Sequence, residues 1–454
     1  MYSSASRSHG TVTTPLSSEA SFAGRLDAAA ASMGEPGRPI ASACEEAGGG
    51  ASWRRGDALL DDDALLALAD RFGTPLYIFD ERALRERASF LRSMLPRGTG
   101  LCYAMKANTF VLPELVELVD RVEVCSPGEY RICREVSVPS EKLVVSGVHK
   151  DAETVDAALA DGSGRAVLTI ESAAQMQLVD ELASRHGVRT PVLLRLTSGN
   201  QFGLDAALVR ELVGRYRTSE TIDLRGIQFF SGTQKTSPRR VSRELEKLDR
   251  FLASLEEGYG WTAPELEYGP GLPVAYFEAD SFDEAAYLSA FSEALSKMAF
   301  AGKVTLEVGR SLVASCGTYL TRVVDTKMNR GERYAIVDGG IHQLVYFGQS
   351  MAMHQPACRL LGDAAGGEAE PWSIFGSLCT VNDVLAKQMP LVGMGQGRVL
   401  AFANVGAYCM TEGISLFLSR DLPRVVVLDS GGEPRLVRDA LRTDVLNTPS
   451  VCSR

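Results

Sequence analysis

The stretch Leu101-Cys102-Tyr103-Ala104-Met105-Lys106-Ala107-Asn108, followed by a helical pattern at 110–120 and the apolar run at 121–125, decides how this chain is read. An apolar run, a helix and a second apolar run make one unit with parallel strands. The alternation then repeats. Strands are predicted at 101–105, 121–125, 142–146, 166–170, 191–196, 224–230, 265–268 and 303–308. Further helical patterns lie at 127–136, 151–161, 172–187, 205–217, 239–258 and 283–299. Eight strands with intervening helices are the rhythm of a (β/α)8 barrel, an α/β fold.

Upstream, Asp61 to Arg71 reads as an amphipathic helix and Leu76-Tyr77-Ile78-Phe79 as a strand after the turn Gly73-Thr74-Pro75. Asp80 can cap the helix that runs to about Met94. Beyond residue 311 the runs Tyr319–Lys327, Tyr334–Val337, Arg398–Phe402 and Arg424–Leu428 are β-rich, with a turn at Asn329-Arg330-Gly331 and an acidic, Gly-rich loop at Gly362–Glu370. The expected organisation is a disordered Ser-, Ala- and Gly-rich segment at 1–52, a barrel at 53–310 and a β domain at 311–454. The first residues of the barrel span are assignable to either domain.

At 454 residues, two domains are the natural expectation. Hydrophobic residues make up 45% and charged residues 23%, a balance suited to a globular chain with a large core. The net charge of −10 argues against a nucleic-acid partner. No run approaches the roughly 18 apolar residues of a membrane span. The nine cysteines are scattered and form no C-x-x-C pair, which argues against a zinc site or disulfide framework and for a cytoplasmic location. With only five histidines, no metal site is expected.

Active sites of such barrels lie at the C-terminal ends of the strands. Lys106, Ser231-Gly232-Thr233-Gln234, Gly269-Pro270-Gly271 and Glu307-Val308-Gly309-Arg310 all fall there. Any one of them is more simply a surface lysine, a tight turn or a solvated ion pair, but four on one rim suggest a site. A lysine in apolar surroundings is expected to lose its proton readily, and a neutral amine can form a Schiff base with an aldehyde cofactor. Glycines let backbone N–H groups approach a phosphate, and Arg310 can bind its oxygens.

These motifs resemble the fold-type III pyridoxal-phosphate decarboxylases, the group of diaminopimelate, ornithine and arginine decarboxylases. Tyr103-Ala104-Met105-Lys106-Ala107-Asn108 is similar to their cofactor-lysine motif, and Glu307-Val308-Gly309-Arg310 to their Glu-Pro-Gly-Arg motif. Gly376-Ser377-Leu378-Cys379 with Asp383 is similar to their catalytic-cysteine motif. Gly406-Ala407-Tyr408 resembles their C-terminal tyrosine motif, and Asp338-Gly339-Gly340 an Asp-x-Gly turn of their second domain. The resemblance covers residues 70 to 430.

It implies an alanine racemase-like barrel with a C-terminal β domain, and pyridoxal 5'-phosphate as cofactor. Lys106 would anchor the cofactor, with Glu123 nearby. Glu307 would pair with the pyridine nitrogen, and Phe230 would stack on the ring. Thr233, Gly269, Gly271, Arg310 and Tyr408 would hold the phosphate. Cys379 would return a proton to Cα once carbon dioxide leaves. The resemblance also implies a homodimer with shared active sites.

The chain departs from the family at several points. Phe230 stands where relatives have histidine, and Pro270 replaces a glycine. Thr380 follows the catalytic cysteine where relatives carry an acidic residue for the distal amino group. Tyr346 takes the place of an arginine that binds the distal carboxylate in diaminopimelate decarboxylases. A site without those charges should reject a distal zwitterion. The expected activity is therefore decarboxylation of an amino acid whose distal end is neutral or tethered. The stretches Phe230-Ser231-Gly232-Thr233-Gln234 and Gly269-Pro270-Gly271-Leu272-Pro273 resemble those of the variants acting on γ-glutamyl carrier-protein thioesters. The alternatives are a diaminopimelate decarboxylase, an amino-acid racemase, against which Glu307 argues, and a catalytically dead regulator.

Overall fold

The structure, a computed structural model, describes residues 60–161, 164–346, 351–362 and 366–449. The expected disordered segment 1–52 lies outside them. The first described helix, Asp62–Phe72, starts where the Asp61 carboxylate accepts from the Ala64 N–H, and stops at Gly73. Strand β1 (Leu76–Asp80) follows and is buried on both faces. The Asp80 side chain accepts from the Arg82 N–H and so opens the helix Glu81–Met94.

Next come β2 (Gly100–Ala104), β3 (Arg121–Val124), β4 (Leu143–Val145), β5 (Val167–Ile170), β6 (Thr190–Leu196), β7 (Ile222–Phe230), β8 (Glu265–Gly269) and β9 (Lys303–Val308). Each pairs in parallel with the next, and β9 pairs back onto β2 with Cys102 opposite Glu307, closing the barrel. The predicted strands agree with these to within two residues at each end. Helices Pro127–Glu135, Ala152–Asp161, Ala173–His186, Ala206–Tyr216, Pro238–Tyr259 and Glu284–Ser296 lie between them. The pattern at 110–120 is a single helical turn, Leu112–Leu115. The chain there must return at once to the barrel. The Asp120 carboxylate accepts from the Leu101 N–H at 2.8 Å, and the Asp120 N–H donates to the Leu101 carbonyl, pinning the entry of β3 to β2.

After β9 the chain builds a second sheet. Its strands are β10 (Gly317–Asn329), β11 (Glu332–Val337), β12 (Cys358–Leu360), β13 (Glu370–Phe375), β14 (Val384–Leu391), β15 (Val399–Ala403), β16 (Arg424–Leu428) and β17 (Pro434–Arg438). The order is β14-β13-β11-β10-β1-β16-β17, with β15 pairing both β10 and β12. Arg330 and Gly331 both adopt positive φ in the two-residue hairpin between β10 and β11, the turn whose twist matches its flanking strands. Glu370, expected in a loop, opens β13, while residues 363–365 of that loop lie outside the described residues.

β1 belongs to this second sheet. It runs antiparallel to β10, with Leu76 opposite Leu320, and parallel to β16, with Leu76 opposite Arg424. A small cluster packs its outer side, with Leu76 and Ile78 against Leu65, Leu68, Val426 and Leu428. Leu76→Ala is expected to cost about 2–5 kcal/mol, as for other leucines fully removed from a core, and urea denaturation of the full chain would measure it.

Candidate active site

The turn carrying Lys106 is built by its own neighbours. Met105–Ala107 form one turn of 3-10 helix after β2. The Tyr103 hydroxyl donates to the Asn108 carbonyl at 2.7 Å, and the Asn108 amide donates to the Gly406 carbonyl at 2.9 Å. The Tyr408 N–H donates to the Ala107 carbonyl at 2.8 Å. Tyrosine and asparagine therefore flank the lysine for a mechanical reason. They clamp its backbone between the barrel and the segment after β15.

The Lys106 ammonium lies 2.7 Å from Glu123 Oε2, 3.5 Å from Glu307 Oε1 and 3.7 Å from Cys125 Sγ. This corrects the expectation of an amine in apolar surroundings. Burial lowers its pKa, but the charges of Glu123 and Glu307 outweigh burial and hold it well above the ordinary lysine value. Burial likewise works against the Glu123 carboxylate, yet the contact with Lys106 keeps it below the usual range. Glu307 goes the other way. Burial and the Glu123 charge push it up, opposed by Lys106, while Gln228 donates to its other oxygen at 2.8 Å. The Lys106 side chain keeps 40% of its surface open, so its amine is reachable from the cavity.

That cavity, about 300 Å³, is bounded by Lys106, Phe230, Thr233, Gly271, Glu307, Arg310 and Tyr408, with Glu412 on its wall. The structure thus gathers most of the expected site residues at one rim. The buried Arg310 donates to the Tyr276 hydroxyl at 2.8 Å and lies over the rings of Tyr408 and Tyr276. Tyr408 has φ +65°, a conformation that a bulky residue seldom adopts outside a functional constraint. Glycine is required where Phe230 and the loop after β7 close on the loop after β8. A Cβ on Gly269 would lie 2.5 Å from the Phe230 ring, and one on Gly271 would lie 2.1 Å from the Gly232 carbonyl oxygen. A reachable amine, a buried guanidinium and a cradle of bare backbone fit an anionic pyridine aldehyde. Lys106 would hold its carbonyl carbon, Glu307 would face its ring nitrogen, and Arg310 with the two glycine loops would hold its phosphate.

Glu123 and Gly269 stand behind this lining, against Lys106 and Phe230, and three further expected residues do not line the cavity. Cys379 is exposed and Thr380 half-buried, on a loop shaped by Asp383, whose carboxylate accepts from the Ile341 and Leu378 N–H groups, each at 2.7 Å. Asp338 is a structural acceptor too, bonded by the hydroxyls of Thr74 and Thr321. Tyr346 was expected to face substrate. It is fully buried against Tyr276 and Phe277, and its hydroxyl donates to the Ala403 carbonyl. It backs the wall behind Arg310 and presents no group to a substrate.

Sequence reasoning named Glu123 and Glu307 but missed the two other acids inside the barrel, Glu265 and Glu267. Glu265 is paired by Arg121, while Glu267 is fully buried with neither oxygen hydrogen-bonded and Arg121 3.6 Å away. The signal was present as charged residues in the strand Glu265-Leu266-Glu267-Tyr268. Burial and then the nearby Glu307 push the Glu267 carboxyl well above the carboxylate range, so the folded chain holds it protonated where the unfolded chain ionises it. A raised acid contributes stability that is lost as pH rises from the unfolded value. Glu267→Gln imitates the protonated form and escapes that loss. The variant is expected to match the parent near pH 4 and to gain stability over it progressively as pH rises above about 5, read as melting temperature against pH.

Comparison with known proteins bears on the family and the fold. Residues 81–314 match the family described as pyridoxal-dependent decarboxylase, pyridoxal binding domain. The chain is 25% identical over 420 residues to L-glutamyl-[BtrI acyl-carrier protein] decarboxylase of Niallia circulans, covering 86% of this chain and 96% of that protein. It is 26% identical over 410 residues to diaminopimelate decarboxylase of Zymomonas mobilis, covering 85% and 95%. The crystal structure of diaminopimelate decarboxylase from M. jannaschii with L-lysine superposes with a TM-score of 0.74 at 25% identity, covering 83% and 92%. The chain belongs to the pyridoxal-dependent decarboxylases, and it is a carboxy-lyase that works with pyridoxal 5'-phosphate on a closed barrel joined to a β-rich sheet.

Proposed function

We propose that this enzyme decarboxylates an α-amino acid whose distal end carries no free charge pair, with a γ-glutamyl thioester on a carrier protein as the best-fitting substrate. The observation that carries this reading is the missing distal recognition. Thr380 offers a neutral hydroxyl where an acidic partner would be expected, and Tyr346 is buried. A zwitterionic distal centre would be desolvated without partners, at a cost of several kcal/mol. The relative named for an acyl-carrier-protein substrate, matched over 86% of this chain, supports it.

Lys106 would bind the cofactor, with Glu123 holding and orienting its amine. Glu307, oriented by Gln228, would keep a proton on the ring nitrogen, and Phe230 would cover the ring. Arg310, Thr233, Tyr408 and the backbone at Gly269 and Gly271 would bind the phosphate. The cofactor, when bound, supplies a sink for the electrons left at Cα as carbon dioxide departs. Cys379, supplied by a second subunit, would return a proton to Cα.

Cys379 lines neither the cavity above nor a second one of about 180 Å³ on the other flank of Lys106, bounded by Phe79, Phe110, Glu129 and Met410. It is exposed instead, and Ile414, Leu416, Phe417 and Leu418 expose further apolar surface. This supports a homodimer in which the cysteine of one subunit completes the site of the other. Among the described residues no helix is long and apolar enough to cross a membrane, and we place the enzyme in the cytoplasm.

Carbon dioxide release from free meso-diaminopimelate, free glutamate and carrier-tethered γ-glutamate tests the substrate. Tethered substrate should be turned over at least about 100-fold more efficiently, the discrimination expected for a desolvated charge without a partner. Efficient turnover of free diaminopimelate would sink the reading. Lys106→Ala and Cys379→Ala should each be inactive alone. Mixed subunits should recover about a quarter of the parent activity if each site draws on both chains, and none if each chain is self-sufficient.

A further inference from the structure

A second charged cluster lies just behind the cavity. Lys235 is almost fully buried, and its ammonium lies 2.7 Å from Glu244 Oε2. The same carboxylate accepts from the Ser231 hydroxyl at 2.6 Å and the Tyr268 hydroxyl at 2.9 Å. Ser231 and Lys235 belong to the loop after β7, Tyr268 immediately precedes Gly269, and Glu244 stands on the helix Pro238–Tyr259. The Lys235 backbone N–H also donates to the Gly271 carbonyl at 2.9 Å. One carboxylate therefore ties the loop after β7 to the end of β8, and the Lys235 backbone joins that loop to the one after β8.

We infer that Lys235 and Glu244 are positioning residues that hold the two loops at the spacing a phosphate monoester requires, and that they set the preference of this pocket for the phosphorylated cofactor. The loops touch through bare backbone at Gly232 and Gly271, and farther along the Gln234 side chain bridges them, donating to the Val274 carbonyl and accepting from the Val274 N–H. Pro270 removes one backbone donor from the cradle, so the donors that remain must be well placed. A buried ammonium–carboxylate pair suits this work. Leaving either partner alone in the interior is costly, and the geometry is held by three directional hydrogen bonds.

The inference rests on reading this cavity as the cofactor pocket, and its test separates the two. Apo-protein is titrated with pyridoxal 5'-phosphate and with pyridoxal, which lacks the phosphate, following absorbance of the bound chromophore. The parent is expected to bind the phosphorylated form far more tightly. In Lys235→Met that preference should fall by about tenfold or more, on the scale of a lost charge-assisted hydrogen bond, with pyridoxal affinity unchanged. Lys235→Met/Glu244→Gln removes both charges and leaves no unpaired buried ion to hinder folding, and it should show the same loss. Glu244→Asp with Lys235 intact should retain part of the preference. If the folded double variant keeps the parent's preference, or loses affinity for both compounds equally, the pair is merely structural and the inference is overturned. If the parent itself does not distinguish the two compounds, the reading of the pocket fails first.

Discussion

Four glutamates buried inside one barrel, Glu123, Glu265, Glu267 and Glu307, are the constraint to which the rest of the site answers. A carboxylate removed from water costs several kcal/mol unless it is paired, hydrogen-bonded or neutralised. The chain uses all three means. Arg121 grips Glu265, Lys106 pairs with Glu123, Gln228 bonds Glu307, and Glu267 keeps its proton. Because each partner is specific, the solution also fixes geometry. Lys106 points at the cavity since its nearest carboxylate, on the neighbouring strand, holds it there. Glu307 is left with a raised proton affinity and an oxygen beside the amine, the disposition suited to a group that must face a ring nitrogen.

The second constraint is mechanical. Tyr408 reaches the cavity from the segment after β15, bonded through its own N–H to the turn of Lys106. Arg310 lies between its ring and that of Tyr276, which is packed in turn against Tyr346. The aromatic wall keeps the guanidinium in place at the edge of the cavity.

The barrel was legible because its strands are short apolar runs separated by capped helices, and all eight were found with nearly correct ends. The β-rich second part was legible where a strand is a nearly continuous apolar run, as in the five-residue β15 and β16. β12, β13, β14 and β17 are short or polar on one face and gave no clear run. β1 was seen as a strand, but its sheet could not be assigned, because its partners lie far along the chain. Site motifs were found where backbone demands coincide with chemistry, as at Lys106, Gly269, Gly271 and Arg310. Tyr346 was misplaced because position in a motif says nothing of which way a side chain turns once its neighbours pack. Glu267 and the Lys235–Glu244 pair were missed because charged residues in a strand or helix ordinarily read as solvated. Only the closed barrel and the crossing helix show that these are enclosed.

The position of β1 bears on how the chain is made. Its neighbours β10 and β16 begin about 240 and about 350 residues later, so at about 5–20 residues per second the strand leaves the ribosome some tens of seconds before β16 exists. Through that interval Leu76-Tyr77-Ile78-Phe79 is an apolar strand with both edges open, while the eight barrel strands can already pair among themselves. The time for which that one nascent segment stays unpaired grows as synthesis of the remaining chain slows, and a holding chaperone would shield it through that interval.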